Sequence, residues 1–499
     1  MSYLQELTRK RRRGAAAPAA PAQPPTENLT AQQAALASST PSGIVQVNAY
    51  AGTGKTASLC ALAYQQASLN CLYLAFNKSA QQDAAKRFGP NTRCVTVHGL
   101  AFGSYGKRYA HKLGEPRSTD IIRLMGLPWN WGLAQVIIET IRAWCVSDWT
   151  VFPDTAKAIG GPVAGHPLFL AEAAGIAKQV WQRMCDPNDL MPMPHDGYLK
   201  LYQLSKPSIK CDLLMLDEAQ DTNPVTWAII QAQTCPVVIV GDRYQSIYKF
   251  RGAINAMEAT RPTQSFPLTQ SFRFGHRVAA IATELLTTFH HEMLPVEGLG
   301  PDTRIGEPPQ GAAKAILART NATVFLHAVD AIQQKKSLGL IGGVHSYGFD
   351  KLMDVNYLAQ DQNEKIRDQF LRSFPSFEDF VNYSKEAKDI EAKRQIEIIF
   401  NYGGSLERLI EDIYKSTESN LSKAEVILGT AHKSKGLTLD HVVLADDFPE
   451  LIDHEGIPLE PEELDRQEIN LLYVAVTRTK HSLELNYETR RFLSECCMD

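Results

Sequence analysis

Residues Val47–Leu59 read VNAYAGTGKTASL, and the reading of this stretch decides the fold. The β-branched run GIVQVNAY leads into a turn containing Gly52 and Gly54. TASLCALAYQQA then follows with helical spacing. A strand, a glycine turn and a helix in that order point backbone N–H groups at a phosphate, with a helix N-terminus behind them. Ala51, Gly52, Thr53 and Gly54 would form the cradle, and Lys55 would reach the β- and γ-phosphates. The Thr56 hydroxyl would hold Mg²⁺. The full pattern has glycine six residues before the lysine, where this chain has Ala49, so the segment alone leaves a structural turn open.

A second segment supports the phosphate reading. LLMLDEAQD places Asp217 and Glu218 at the end of an apolar strand. After a phosphate loop, the first carboxylate orients the metal and the second polarises the attacking water. Continuous apolar runs recur in CLYLAF, CDLLMLDEAQD and CPVVIVGD, and later in AEVILGTAHKSKG, HVVLADDF and INLLYVAVTRTKHSLELNY. Such runs suit strands buried on both faces of a parallel sheet. Helical segments such as KSAQQDAAKRF alternate with them, so the fold class is α/β with two parallel-sheet cores and inserted, mainly helical subdomains. The first core takes 28–105 and 192–262, with an insert at 106–191. The second takes 263–330 and 421–492, with a reduced insert at 331–420. Residues 1–27, with TRKRRRG and an Ala/Pro tract, read as a disordered tail, and 493–499 as a C-terminal tail.

The 499 residues suit several domains, and 44% hydrophobic residues are ample for packed cores. No apolar run reaches the roughly 18 residues of a membrane span, and no secretory signal opens the chain. Nine cysteines without CxxC pairing suit free thiols in a reducing compartment. The expected location is the cytoplasm in a bacterial or phage-like setting and the nucleus in a eukaryotic one. The net charge of −4 counts against simple coating of nucleic acid, but not against a local basic groove.

LDEAQD, VGDRYQSIYKFRGA, LTQSFRF, GTAHKSKGL and NLLYVAVTRTK occur in the order seen in superfamily 1 DNA helicases of the UvrD/Rep group. The chain resembles that group, and within it the F-box DNA helicase type, through YLAFNKSAQQDAAKRF, TVHGLAF and HDGYLKLYQL. The leader before Leu29 is too short for an F-box, so no ubiquitin-ligase role is expected. The resemblance implies two RecA-like cores, ATP and Mg²⁺. It implies that Gln33 reads the adenine edge, with a surface glutamine as the alternative. It assigns γ-phosphate sensing to Gln245 and phosphate contacts to Arg251, Arg273 and Arg478, each of which could otherwise be a surface ion pair. Phe272 would stack on adenine or fill a core. Gly436, and Glu468 at the opening of the last motif, would lie beside the nucleotide.

A strand-tracking motor needs aromatic platforms and phosphate contacts. The candidates are Phe76, Asn77, Lys78, Thr96, His98, Tyr248, Phe250, Thr430, His432 and Lys433. Core packing is the alternative for the aromatics, and a structural role for the histidines. HDGYLK, from His195 to Lys200, reads as a structural segment along the strand path. Two positions depart from the group: Tyr50, where a small residue is usual, and Thr438, where KGLEF has glutamate. The resemblance implies an ATP-driven, 3′→5′ helicase acting on single strands and single/double-strand junctions in repair, recombination or replication. A translocase that strips proteins, and an ATP-switched module with a protein partner in a repair or defence complex, are the other readings.

Overall fold

The apolar runs become strands of two parallel sheets in a computed structural model, which describes residues 28–127, 131–157, 167–249, 252–386, 389–460 and 464–496. The first sheet contains β1 (Ile44–Ala49), β2 (Cys71–Ala75), β3 (Thr92–Thr96), β4 (Leu213–Leu216), β5 (Val237–Gly241) and β6 (Gln264–Leu268). Their order is β3-β2-β4-β5-β1-β6, every pair parallel. Every residue of β2, β4 and β5 is buried. Helices on both faces explain why these strands are apolar throughout instead of alternating.

A short ribbon of β7 (Gln270–Ser271) and β8 (Glu297–Gly298) follows. The second sheet contains β9 (Arg304–Ile305), β10 (Lys314–Ala318), β11 (Leu338–Leu340), β12 (Thr417–Glu418), β13 (Val426–Thr430), β14 (Leu439–Leu444) and β15 (Thr479–Glu484). Its order is β12-β11-β13-β10-β14-β15-β9, again all parallel. The chain is α/β with two parallel-sheet cores.

Several expected boundaries shift. Strand β6 falls inside the stretch assigned to the second core, yet it hydrogen-bonds to β1 in the first sheet. Strands β11 and β12 fall inside the stretch assigned to the second insert, yet both belong to the second sheet. INLLYVAV is no strand: it lies in helix Arg466–Val476, capped by the Asp465 side chain. That helix is buried at every residue from Ile469 to Val476, so its sequence lacks the polar stripe that reveals a surface helix. Helix Tyr487–Cys496 runs into the expected C-terminal tail, and residues 1–27 and 497–499 lie outside the described residues.

Each insert shares a core with its sheet. Helices Trp131–Val146 and Pro167–Cys185 bring Ile137, Ile141 and Trp181 against Leu214, Leu216 and Ile239. The helices between β11 and β12 bring Leu352, Val355, Ile396 and Ile410 against Phe325, Val329 and Leu428 of the second core. Among the described residues, no helix is long and apolar enough to cross a membrane.

Lys200, on helix His195–Leu204, fastens the first insert. Its fully buried ammonium donates to the Ser147 carbonyl (3.0 Å) and the Trp149 carbonyl, and lies 4.0 Å from the centre of the Trp144 ring. It therefore caps the C-terminal end of helix Trp131–Val146. Burial lowers its pKa from 10.5 to about 8. Between those values the unfolded chain binds the proton more readily, so this group's contribution to stability rises with pH. In denaturant titrations, the stability of wild type relative to Lys200→Met is expected to rise between about pH 8 and 10.5. A flat difference would mean that Lys200 titrates normally.

Candidate functional site

In open parallel sheets, ligands gather at the carboxyl ends of the strands. The candidate residues follow this rule. The loop 50–54 follows β1, Asp217 and Glu218 follow β4, Gln245 follows β5, and Phe272 and Arg273 follow β6. Phe76, Asn77 and Lys78 follow β2, Thr96 ends β3 and precedes His98, and Thr430 ends β13 and precedes His432 and Lys433. These first-core nucleotide candidates therefore follow the four adjacent strands β4, β5, β1 and β6, whereas Phe76, Asn77, Lys78, Thr96 and His98 lie at β2 and β3, and Tyr248 follows β5 between the two groups.

The loop is held tightly. Gly52 and Gly54 have φ values of +77° and +78°, where a side chain is strained. A Cβ on Gly52 would lie 2.5 Å from Ser271 Oγ and 2.8 Å from Arg273 Cβ. The Phe272 amide donates to the Gly52 carbonyl (3.0 Å), and the Gln33 side-chain amide donates to the Thr53 carbonyl (3.1 Å). A Cβ on Gly54 would meet the Gln33 amide at 3.0 Å and the Phe272 ring at 3.8 Å. Gln33 is buried and caps helix Ala31–Ala37, which removes the surface-glutamine alternative. Phe272 is 44% exposed, which removes the core alternative.

Lys55 opens helix Lys55–Gln65 beside the carboxylates. Thr56 Oγ1 lies 3.2 Å from Asp217 Oδ2, which also accepts from the Tyr73 hydroxyl. These are hard oxygen donors of the kind Mg²⁺ takes. Burial and the neighbouring Glu218 charge push Asp217 up from its ordinary range. Burial would also raise Glu218, but Lys55 and then Lys435, with a hydrogen bond from Gln220, hold it down. Glu218 is thus kept anionic.

Gln220 organises the surroundings. Its amide nitrogen donates to Glu218, and its amide oxygen accepts from the Asp242 backbone (3.1 Å). A Cβ on Gly241 would lie 2.3 Å from that oxygen. Asp242 Oδ2 in turn accepts from the Gln245 side chain (2.8 Å) and the Tyr473 hydroxyl (3.0 Å). The Ala51 amide donates to the same hydroxyl (3.2 Å). Tyr473 of the second core thus ties the phosphate loop to Asp242.

Two arginines complete this side. Arg478 is 1% exposed and donates to the Val474 carbonyl (2.8 Å), the Thr477 hydroxyl (3.1 Å) and the Leu437 carbonyl (3.4 Å). Half-buried Arg273 donates to the Thr477 carbonyl (3.0 Å). Among the described residues, neither forms an ion pair with a carboxylate. Burial, then the Arg273 charge, lowers Arg478 to about 9. Arg251 lies outside the described residues, and so does Phe250. Arg319 engages both oxygens of Glu468, the residue expected beside the nucleotide, at 2.6 and 2.7 Å. Gly436 is exposed, with φ +85°.

On the strand side, Phe76 is 51% exposed, as a stacking platform requires. Asn77, Thr96 and Thr430 each cap the helix that follows, so their side chains have structural work already. Lys78 reaches Gln81 (2.8 Å) on the surface, and His98 reaches Asp196 (2.9 Å), which joins TVHG to HDGYLK. The Tyr248 hydroxyl donates to the His432 carbonyl across the two cores (3.2 Å). Lys433 donates to the Ser346 carbonyl (2.8 Å) and sits 3.3 Å from the centre of the Tyr347 ring; burial lowers it to about 8. No cluster with metal-ligand geometry of three or more His, Cys, Asp or Glu is present among the described residues.

Sequence reading did not single out Gln220, Asp221, Asp242, Lys435 or Tyr473. All five lie inside the quoted motifs. For Asp242 the signal was a polar residue directly after an apolar strand, and for Tyr473 a hydroxyl in an otherwise apolar helix.

The architecture and site define a two-core α/β protein built around a phosphate-type loop. The sequence matches the AAA domain over residues 32–251 and the UvrD-like helicase C-terminal domain over residues 219–490. The second match alone covers more than half of the chain, which therefore belongs to the UvrD-like helicase family. The chain is 31% identical to F-box DNA helicase 1 of Gallus gallus, over 90% of its own length and 48% of that protein. It is 29% identical to F-box DNA helicase protein 1 of Schizosaccharomyces pombe, over 95% of its own length and 59% of that protein. A probable DNA helicase II homolog of Mycoplasma pneumoniae is 30% identical over 17% of the chain. The chain thus spans only part of the first two relatives.

The Tyr473 hydroxyl joins two buried groups. Tyr473→Phe is expected to destabilise the protein by about 1–3 kcal/mol, because it strands the Ala51 amide and leaves Asp242 Oδ2 with the Gln245 side chain alone. Denaturant unfolding reads this directly, and an unchanged midpoint would contradict the bridging role.

Proposed function

We propose that the chain is an ATP-dependent DNA helicase that moves 3′→5′ along single-stranded DNA and acts at single/double-strand junctions in repair, recombination or replication. The observation that carries the reading is the pair Arg273 and Arg478, which lie beside the loop and Glu218 without a carboxylate partner among the described residues. Buried positive charge lacking a counter-ion is costly, and it suits a site that receives an anion. Lys55 adds a third cation from the first core.

In this reading the loop amides and Lys55 bind the β- and γ-phosphates of ATP. Gln33 and Phe272 hold the base from two sides of Gly54. Thr56 and Asp217 would hold Mg²⁺, which when bound neutralises charge on the phosphates. Glu218 accepts a proton from the attacking water, and Arg273 and Arg478 stabilise the charge of the transferring group. Arg478 comes from the second core, so the site is complete only when the cores meet. Gln245 stands between Asp242 and the loop leading to Tyr248, a route from the γ-phosphate toward the strand. Closing and opening of the cleft would move the strand grips of the two cores in alternation. The polarity rests on the likeness to the UvrD/Rep group.

One observation favours a second reading, a translocase that strips proteins with little unwinding. Among the described residues, the second insert shares the core of its sheet and offers no separately packed body to hold a duplex.

The test is steady-state ATP hydrolysis with and without single-stranded DNA. Strong stimulation is expected, lost in Lys55→Ala, with Arg478→Ala lowering kcat by about 10³-fold or more. Hydrolysis indifferent to DNA would overturn the motor reading. A duplex-separation assay beside a protein-displacement assay separates the helicase from the stripping translocase.

A further inference from the structure

We infer that Lys435 is a positioning residue that couples the strand side of the molecule to its nucleotide side. The inference rests on the helicase reading above. Lys435 lies in the turn between β13 and β14 of the second core. Its ammonium crosses to the first core, where it donates to Asp221 Oδ2 and to the Gln245 carbonyl. The two side chains are 9% and 1% exposed. Among the described residues this is the one ion pair that joins the cores.

The placement of the contacts carries the argument. Asp221 is the last residue of LDEAQD, three positions after Glu218, and Gln220 between them binds Glu218 and the Asp242 backbone. The other oxygen of Asp221 has no hydrogen-bond partner among the described residues, so Lys435 is its principal counter-charge. The Gln245 backbone meets Lys435 while its side chain meets Asp242. The same ammonium lies 5.0 Å from the centre of the Tyr248 ring. The Tyr248 hydroxyl binds the carbonyl of His432, three residues before Lys435. One cation thus touches the carboxylate loop, the backbone of the proposed phosphate sensor and an aromatic of the proposed strand path.

Stability does not account for this choice. A buried ion pair recovers little beyond its desolvation cost, and an apolar replacement is often as stable. A fixed, directional contact between two moving bodies does account for it. When a strand engages Tyr248 and His432, the Lys435 turn fixes where Gln245 and Asp221 sit relative to the second core. Arg478 hydrogen-bonds to the same turn through the Leu437 carbonyl (3.4 Å).

The experiment measures kcat and KM for ATP in the presence and absence of saturating oligo(dT), with melting temperatures alongside. Lys435→Met is expected to lose at least about tenfold of the DNA stimulation while KM for ATP changes less than about threefold. Lys435→Arg, which keeps the cation, should recover most of it. Asp221→Asn should lose stimulation like Lys435→Met, and the double variant should be no worse than either single one. Should Lys435→Met not fold, Lys435→Gln, a neutral hydrogen-bond donor, carries the same expectation. Wild-type stimulation in Lys435→Met with only a lower melting temperature would overturn the inference and leave a structural pair. Equal loss in the Arg and Met variants would also overturn it. A wild type that DNA fails to stimulate would remove the helicase reading, and this role with it.

Discussion

Arg478 is sealed among backbone carbonyls and a hydroxyl, with Arg273 adding like charge nearby. Nearby, three carboxylates, Asp217, Asp221 and Asp242, are buried as well, and Glu218 is half-buried beside them. Burying charge on this scale is unfavourable unless each group finds a partner. The molecule divides the problem in two. Asp242 is satisfied by neutral donors, and Asp221 by a lysine from the opposite core. Arg273 and Arg478 form no ion pair with a carboxylate among the described residues, and Glu218 and Asp242 offset their charge without pairing with them directly.

The sheets make this arrangement possible. Strands covered by helices on both faces have no free surface except their ends. Tyr473 and Arg478 of the second core lie just before β15, whereas in the first core the polar groups facing the second gather at the carboxyl ends. The tight loops there leave little room for variation. At Gly52 and Gly241 even a methyl group would collide with Ser271 or Gln220. Hydrogen bonds link the network within each core, and the contacts through Tyr473, Lys435 and Tyr248 join the cores. The Asn470 side chain, which donates to the Ser246 carbonyl (3.0 Å), and the packing of Tyr50, Ala51, Tyr244 and Ile247 in one apolar cluster with Leu471, Leu472 and Val474 join them as well.

The parallel sheets were legible because continuous apolar runs alternated with helical spacing, and the phosphate loop because glycine, lysine and threonine met at a strand-to-helix turn. Boundaries were less legible. Strand β6 carries the half-exposed QSFPL and not an apolar run, and the three-residue β11 is too short to announce itself. Helix Arg466–Val476 was mistaken for a strand because burial on all sides removes the polar stripe. Side-chain roles divided by range. The motifs brought Gln33 and Phe272 beside Gly54, whereas the Arg319 contact of Glu468 was not foreseen, because Arg319 lies 149 residues away in sequence. A contact of that separation leaves no local trace.

The two departures from the group resolve differently. Tyr50 does not crowd the phosphate cradle. Its ring is buried 6.2 Å from Tyr244, and its hydroxyl donates to the Leu294 carbonyl (2.7 Å). The larger residue is accommodated on the far side of the loop and adds a tether to the segment after helix His276–His290. Thr438 is exposed and brings no charge. The group's glutamate would place an anion just beyond Lys435; here the turn carries only the cation. The charge that passes between the cores therefore has a single bearer, and Asp221 faces it without a competing carboxylate from the same turn.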